Sequence, residues 1–326
     1  MTRTPPHPCP PPQVERGKLL VLAIAFMLIA SPAVALDKMT VVLDWFVNPD
    51  HGPIIVAQEM GFFARAGLEV TIIAPSDAND PPKLVAAGRA DIGVSYQPQL
   101  YLLVAEGLPV KRVGTLVATP LNSLVVLADG PVKSIADLEG KRIGFSVAGF
   151  EETMLKAMLR KHGLTLRDVQ LVNVNFALTV ALLSGQVDGV IGAFRNFELT
   201  ELGLHGKPGR AFFPEEEDVP AYDELILIAN KDRTDDPRIR AFLTAIELAT
   251  QYMINHPQEA WAAFIKNHRD LDDELNRRAW ADTLPRFAHS PAALDRNRYE
   301  RFADFLVQEG LIPKALPVEQ YAVEVR

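Results

Sequence analysis

The sequence has almost no cysteine, no excess of basic residues and no apolar run long enough to cross a membrane comfortably. Its one cysteine, Cys9, lies in a proline-rich segment at the start of the chain. The remainder therefore offers no disulfide, no thiol nucleophile and no cysteine-ligated metal. The formal net charge is −8, and it falls to about −10 once the first 35 residues are set aside. An acidic surface argues against nucleic-acid binding, which needs clustered Lys and Arg.

The sequence also lacks the motifs of common enzyme classes. It contains no Gly-x-Ser-x-Gly elbow, no His-Glu-x-x-His pair and no phosphate-binding loop. The acidic run at 215–218 is a string of neighbours in a proline-flanked segment, which favours a solvated loop over a catalytic carboxylate pair. Of the histidines, only His51 has aromatic and amide neighbours. These absences favour a binding protein that uses no metal and no cofactor.

The N-terminal segment is typical of an export signal. Arg16 and Lys18 precede an apolar run at 19–30, and small residues follow at 33–35. The apolar run is short for a bilayer span, and no cysteine follows it that could carry a lipid anchor. We therefore expect a signal peptide over residues 1–35, cleavage after Ala35 and a free periplasmic protein.

The order of predicted elements indicates an α/β fold with two lobes. Strand and helix patterns alternate at the spacing of βαβ units up to residue 229, and the chain beyond is helical. Gly88-Arg-Ala-Asp91 and Gly185-Gln-Val-Asp188 each join a helix end to a small apolar strand, about one lobe apart. The predicted strands are 39–43, 68–73, 91–95, 110–117, 123–127, 142–146, 169–174, 189–191 and 225–229.

Aromatic and polar residues recur at the ends of these strands. The first strand breaks into a group of polar and aromatic residues at 44–51 before a helix begins at Pro53. Open α/β folds bind ligands at the carboxyl ends of their strands. Aromatic faces beside amides and carboxylates suit a flat, neutral or weakly cationic heterocycle. The strand-end groups are Trp45 and Asn48, Tyr96 and Gln97, Asn122 and Ser123, Ser146 with Gly149, Arg195–Glu198, and Tyr222–Glu224.

Several motifs resemble a known protein family. The stretch Leu43-Asp-Trp-Phe-Val-Asn-Pro-Asp-His51 is similar to the Leu-Asp-Trp-x-Pro-Asn-x-x-His motif of the ThiY-type, thiamine-pyrimidine group of periplasmic solute-binding proteins. This group is related to the eukaryotic thiamine-pyrimidine synthases. The first motif and the Asn-aromatic-Glu motif at 196–198 are the specific ones. The similarity continues at 59–63, 90–97, 120–124, 137–144, 149–151, 192–198 and 219–225.

The resemblance implies a type II periplasmic-binding fold, in which two crossing strands join two α/β lobes around one ligand. The crossing strands would be 124–127 and 224–228. Lobe 1 would comprise residues 36–126 and 229–326, and lobe 2 residues 127–228. The implied ligand is a 4-amino-2-methylpyrimidine of the formylaminopyrimidine or hydroxymethylpyrimidine type. A monomeric receptor would deliver it to an ABC permease in the inner membrane.

By the same resemblance, Trp45 and Tyr222 would flank the ring, and Glu198 would accept a hydrogen bond from the exocyclic amine or a ring N–H. The side chains expected at the edges of the ligand are Asn48, His51, Gln97, Asn122 and Asn196. Asp44, Tyr96 and Ser146 complete the predicted site. The sequence departs from the family pattern at Val47, Ile55 and Phe197, which reduce the aromatic surface and leave the identity of the ligand open.

Three alternatives remain open. An oxyanion ligand such as an alkylsulfonate or nitrate would use Arg195 and the helix N-terminus after Gly149. An enzyme of pyrimidine synthesis would need metal or lysine chemistry in the cleft, and the eukaryotic synthases need a cysteine cluster that this chain lacks. A sensory ligand-binding domain would call for a membrane-spanning or signalling segment after the helical tail, and we see none.

Overall fold

The computed structural model describes residues 1–2 and 35–325. The expected signal peptide, with Cys9, lies almost entirely outside the described residues. Within them, no helix combines the length and the apolar character needed to cross a membrane.

Two five-stranded sheets organise the described chain. The strands are β1 (Asp37–Val42), β2 (Leu68–Ile73), β3 (Ile92–Tyr96), β4 (Val110–Val117), β5 (Asn122–Leu127), β6 (Arg142–Phe145), β7 (Gln170–Asn173), β8 (Gly189–Phe194), β9 (Gly209–Phe212) and β10 (Leu225–Asn230). The first sheet has the order β2-β1-β3-β10-β4 and the second β7-β6-β8-β5-β9. The predicted α/β architecture with two lobes is confirmed.

Each sheet contains one strand that arrives from the other half of the chain. In the first sheet β10 runs antiparallel to both β3 and β4, and in the second β5 runs antiparallel to both β8 and β9. The chain therefore passes between the sheets at 118–121 and again at 213–224. The expected crossing strands, 124–127 and 224–228, overlap β5 and β10. Each of these two strands directly follows a crossing, and both of its neighbours belong to one sheet.

Helices cover the sheets and form the tail. They are α1 (Gly52–Glu59), α2 (Phe62–Arg65), α3 (Pro81–Ala86), α4 (Gln97–Ala105), α5 (Phe150–Lys161), α6 (Leu178–Leu183), α7 (Glu198–Leu204), α8 (Pro237–Asn255), α9 (Pro257–Phe264), α10 (Glu274–Thr283) and α11 (Arg296–Gln308). Proline stands at the start of α8 and α9, where its missing N–H costs no hydrogen bond. The sequence predicts a helix over 54–63 that Gly61 closes; Gly61 adopts a φ of +71° and ends α1, and the short helix α2 follows it.

The two Gly-x-x-Asp segments occupy equivalent places in the two lobes. Asp91, just before β3, accepts a hydrogen bond from the backbone N–H of Thr40 in β1 (2.8 Å). Asp188, just before β8, accepts one from the backbone N–H of Arg142 in β6 (2.9 Å). Each aspartate thus ties the start of one strand to its parallel neighbour. The short sequence repeat reflects this shared hydrogen bonding.

Candidate ligand-binding site

The carboxyl ends of β1, β3 and β8 and the N-terminal turns of α5 and α7 enclose a cavity between the two sheets. Its volume is about 460 Å³, counting the part open to solvent. The first sheet and its loops contribute Asp44, Trp45, Asn48, Asp50, His51, Tyr96 and Leu225. The second contributes Glu151, Leu178, Gly192, Phe194, Phe197 and Glu198.

The predicted site residues divide into two groups. Those that line the cavity are Asp44, Trp45, Asn48, His51, Tyr96 and Glu198. Those that do not are Gln97, Asn122, Ser146, Asn196 and Tyr222. All members of the second group are buried.

A hydrogen-bonded chain fixes the loop that follows β1. The side-chain oxygen of Asn48 accepts from the backbone N–H of Asp50 (2.8 Å). The Nδ1 atom of His51 accepts from the backbone N–H of Asn48 (3.3 Å), so its Nε2–H donates to Asp44 (2.9 Å). The hydroxyl of Tyr96 donates to the other oxygen of Asp44 (2.8 Å). Both nitrogens of His51 are therefore used within the protein, and this side chain shapes the wall of the cavity.

Aromatic rings from both lobes border the cavity. The ring of Phe176 meets the ring of Trp45 edge-on, with centroids 4.5 Å apart. Tyr96 stacks on Phe150 at 5.0 Å. Tyr222, predicted to flank the ligand, instead packs against Phe302 at 5.5 Å and lies outside the cavity lining. The geometry therefore brings only one of the two predicted stacking residues to the cavity.

Four buried carboxyl groups line the cavity: Asp44, which is bound by His51 and Tyr96, and Asp50, Glu151 and Glu198. Glu198 accepts from the backbone N–H of Phe194 (2.6 Å), and burial raises its pKa to about 8. Glu151 accepts from the backbone N–H of Ser146 (2.6 Å), and burial raises its pKa well above the usual range. Burial raises the pKa of Asp50 to about 6. No Lys or Arg is among the residues that line the cavity, so the cavity favours a ligand that donates hydrogen bonds.

Two of the predicted residues outside the cavity hold strands together. The side-chain oxygen of Gln97 accepts from the backbone N–H of Asp223 (2.8 Å), and its amide donates to the hydroxyl of Tyr101 (2.9 Å). The side-chain oxygen of Asn122 accepts from the backbone N–H of Gly192 (3.1 Å). Both amides therefore satisfy buried groups of the protein.

Asn196 connects the two lobes through the buried carboxyl of Asp50. Its side-chain amide donates to Asp50 (2.7 Å) and to the hydroxyl of Thr283 at the end of α10 (2.6 Å). Thr283 also lies 2.7 Å from the same oxygen of Asp50. Asn196 thus positions a carboxyl group that lines the cavity, although it does not line the cavity itself.

The sequence prediction missed Glu151 and Gly192, which depend on each other. Glu151 lies in the first turn of α5, after a strand end and the turn glycine Gly149, and this strand-end position was the available signal. Gly192 lies in β8 with a φ of +97°, and a Cβ there would collide with the carboxyl group of Glu151. Only glycine allows the helix start to approach the strand so closely.

The two features that would serve an oxyanion are already occupied. The guanidinium of Arg195 donates to Glu215 at 2.6 and 3.0 Å and to the backbone oxygen of Asn122 at 3.2 Å, and it lies outside the cavity lining. At the start of α5, the backbone N–H of Gly149 bonds the carboxyl group of Glu152, and that of Glu151 bonds the backbone oxygen of Val147. Among the described residues, no group of His, Cys, Asp and Glu is arranged to hold a metal ion.

Comparison with known proteins gives consistent matches. A family model described as NMT1/THI5 like matches residues 48–260. A Haemophilus influenzae protein named for thiamine biosynthesis is 55% identical over 300 residues, covering 92% of this chain and 96% of that protein. The formylaminopyrimidine-binding protein of Halalkalibacterium halodurans is 35% identical over 272 residues, covering 81% and 82%.

Enzymes also occur among the relatives. The 4-amino-5-hydroxymethyl-2-methylpyrimidine phosphate synthase of Uromyces fabae is 30% identical over 254 residues, covering 74% of each chain. Among solved structures, the alkanesulfonate-binding protein SsuA of Xanthomonas axonopodis pv. citri superposes with a TM-score of 0.70 at 17% identity. The match covers 89% of this chain and 99% of that one. This likeness confirms the predicted periplasmic-binding fold, and at such low identity it shows the fold alone.

Proposed function

The chain belongs to the NMT1/THI5-like family, and on that basis we propose that it is a solute-binding protein for an aminopyrimidine related to thiamine. The ligand binds in the cavity between the lobes, and the protein carries it through the periplasm to an ABC permease in the inner membrane. The relative named as a formylaminopyrimidine-binding protein supports this class of ligand.

The observation that carries the proposal is the set of buried carboxyl groups in an aromatic cavity that no Lys or Arg lines. A 4-aminopyrimidine offers amine N–H donors and a basic ring nitrogen, and its flat ring can pack against Trp45. A carboxyl group with a pKa of about 8, such as Glu198, can either accept from the amine or share its proton with the ring nitrogen. A ligand without donors would leave buried carboxyl oxygens unpaired, at a cost of about 1–3 kcal/mol each.

The same geometry argues against the two main alternatives. An oxyanion would face Asp50, Glu151 and Glu198 without a guanidinium to balance its charge, because Arg195 is engaged with Glu215. Synthase chemistry of the type that the sequence resemblance implies needs a lysine in the cleft, and no lysine lines the cavity. We therefore propose binding without conversion of the ligand.

Isothermal titration tests the proposal. The purified protein is unfolded and refolded to release carried-over ligand, and then titrated with the formylaminopyrimidine and with hydroxymethylpyrimidine. We expect both to bind, and we expect the 4-oxo analogue, which lacks the amine, to bind at least about tenfold more weakly. Tighter binding of methanesulfonate or nitrate would overturn the proposal.

Two further measurements test the rest of the proposal. Mass spectrometry of the released ligand should show that the ligand is chemically unchanged. N-terminal sequencing of the exported protein should give Leu36 as the first residue.

A further inference from the structure

A second cavity adjoins the first one at Phe197 and Glu198, which line both. Its volume is about 620 Å³, counting the part open to solvent. It lies beside the loop after β1, helices α6 and α7, and the segment that leads into α10. The remaining lining residues are Phe46, Val47, Phe176, Thr179, Val180, Glu201, Leu271, Leu275 and Asn276.

Three phenyl rings surround this second cavity. The centroid of Phe46 is 6.3 Å from that of Phe176 and 6.4 Å from that of Phe197, and both pairs meet edge to face. Phe46 is 43% exposed, whereas Phe176 and Phe197 are half-buried. In edge-to-face pairs part of each ring face stays uncovered, and such a face can pack against a flat group or a cation.

The polar side chains that line the second cavity include Thr179, whose hydroxyl can donate, and the acceptors of Glu201 and Asn276. The carboxylate of Glu201 makes no hydrogen bond or ion pair with any residue that the structure describes. Asn276 is only 4% exposed, and its amide donates to Asp273 (3.0 Å), which fixes its orientation. Its Oδ1 atom then has no partner within the described part of the chain. No Lys, Arg or His lines this cavity.

We propose that the second cavity is a subsite for a cationic aromatic group attached to the aminopyrimidine, such as an N-alkylated thiazolium or pyridinium ring. The inference rests on the proposed function and extends the ligand class to aminopyrimidines that carry a fixed positive charge. The ring faces attract a cation through their quadrupoles, and Glu201 supplies the opposite charge. A neutral apolar group would fill the space but would leave Glu201 and the Asn276 oxygen without a partner.

The two residues that the cavities share support one ligand that spans both. Glu198 and Phe197 line both cavities, so we infer that a pyrimidine bound to the carboxyl group of Glu198 directs a substituent past Phe197 into the second cavity. Thiamine has this arrangement, with an aminopyrimidine joined through one carbon to a thiazolium ring, and it is therefore the probe. A 4-amino-5-benzyl-2-methylpyrimidine has a similar shape without the charge.

Titration calorimetry on the purified protein compares thiamine, the benzyl analogue and hydroxymethylpyrimidine. We expect thiamine to bind more tightly than the benzyl analogue. Glu201→Gln should weaken the binding of thiamine, relative to that of hydroxymethylpyrimidine, by about fivefold. This is the size of effect expected when a partly exposed ion pair is lost. Phe46→Leu should also lower the preference for thiamine, because it removes a cation–π partner. Glu259→Gln, at an exposed position on α9, removes the same charge elsewhere and should leave all three affinities unchanged.

The outcomes separate the two proposals. The proposed subsite is contradicted if thiamine binds no better than the benzyl analogue. It is also contradicted if Glu201→Gln leaves the preference of the protein for thiamine over hydroxymethylpyrimidine unchanged. Hydroxymethylpyrimidine binding would then still support the proposed function. If none of the three compounds binds, both proposals fail.

Discussion

If Glu198 has the proposed role in binding, recognition of a ligand and stability of the fold make opposite demands on its carboxyl group. Its carboxyl group is 9% exposed, and burial raises its pKa to about 8. Glu198→Gln should weaken aminopyrimidine binding by about tenfold or more, because a charge-assisted hydrogen bond is lost. The same change should raise the melting temperature of the ligand-free protein at about pH 8, because no buried charge then forms.

Calorimetry and thermal unfolding measure these two effects separately. Glu259→Gln is the control, since it makes the same chemical change at an exposed position; it should leave the affinity unchanged and alter the melting temperature only slightly, through the N-terminal turn of α9. Unchanged affinity in Glu198→Gln would rule out a role for this carboxyl group in binding.

Gly192 is a second residue whose identity the site requires. Its φ of +97° disfavours any side chain, and a Cβ would meet the carboxyl group of Glu151. Gly192→Ala should therefore destabilise the protein by about 2–4 kcal/mol, measured by denaturant unfolding. Gly203→Ala is the matched control, because Gly203 lies in α7 and a Cβ there has open space. We expect it to be neutral or stabilising, and an equal loss in both variants would contradict the explanation.

At the scale of elements, Asn196 joins the end of β8 to the loop after β1 and to the end of α10. Asn196→Ala removes the amide that donates to Asp50 and to Thr283. We expect about tenfold weaker ligand binding in calorimetry, because an interlobe hydrogen bond to a buried carboxyl group is lost. Thr200→Ala is the control, since the hydroxyl of Thr200 bonds only within its own segment, to the backbone oxygen of Asn196 (3.2 Å). Equal affinities in the two variants would exclude the interlobe role.

Most of the elements could be predicted from the sequence, since hydrophobic patterning and turn residues are local. β2 and β4 have the predicted ends, and the chain beyond β10 is largely helical, as predicted. β9 was not predicted, because its four residues, Gly-Arg-Ala-Phe, carry little strand signal and depend on pairing with β5. Non-local pairing of this kind also determines which sheet β5 and β10 join, and local patterns cannot reveal it.

The site could be predicted only in part, because strand-end position does not say which way a side chain points. Tyr96 and Gln97 are neighbours, yet Tyr96 lines the cavity while Gln97 binds Asp223 and Tyr101 behind it. A polar side chain at a strand end can satisfy its hydrogen bonds either toward the cavity or toward the protein interior. Its residue type therefore does not show which way it points. Glu151 was missed for a related reason: an acidic residue in the first turn of a helix is equally favoured at an exposed position.

At the scale of the whole molecule, a carboxyl group also holds the two crossings together. Glu224 lies at the end of the second crossing and accepts from the backbone N–H groups of Leu121 (2.6 Å) and Asn122 (2.8 Å) at the end of the first. Burial raises its pKa to about 7. Protonation at this position therefore affects the connection about which the lobes would move.

Together these groups predict how the stability of the ligand-free protein depends on pH. The folded-state pKa values of Asp50, Glu224 and Glu198 are about 6, 7 and 8, against ordinary values of 3.8 to 4.5. The folded protein therefore holds protons that the unfolded chain has released, and its stability falls as the pH rises from about 4.5 to about 8. Carboxyl groups with lowered pKa values, such as Asp188, complete their titration below this window and do not oppose the trend.

Thermal unfolding of the ligand-free protein at about pH 5.5 and about pH 8 measures this dependence, and we expect the lower melting temperature at the higher pH. Glu198→Gln should reduce the difference, because it removes the group whose titration extends furthest toward pH 8. Glu259→Gln should retain the full difference. A melting temperature that is equal or higher at about pH 8 in the unmodified protein would show that the buried carboxyl groups do not hold their protons. The empty cavity would then be ionised, and it would favour a cationic ligand over one that shares a proton.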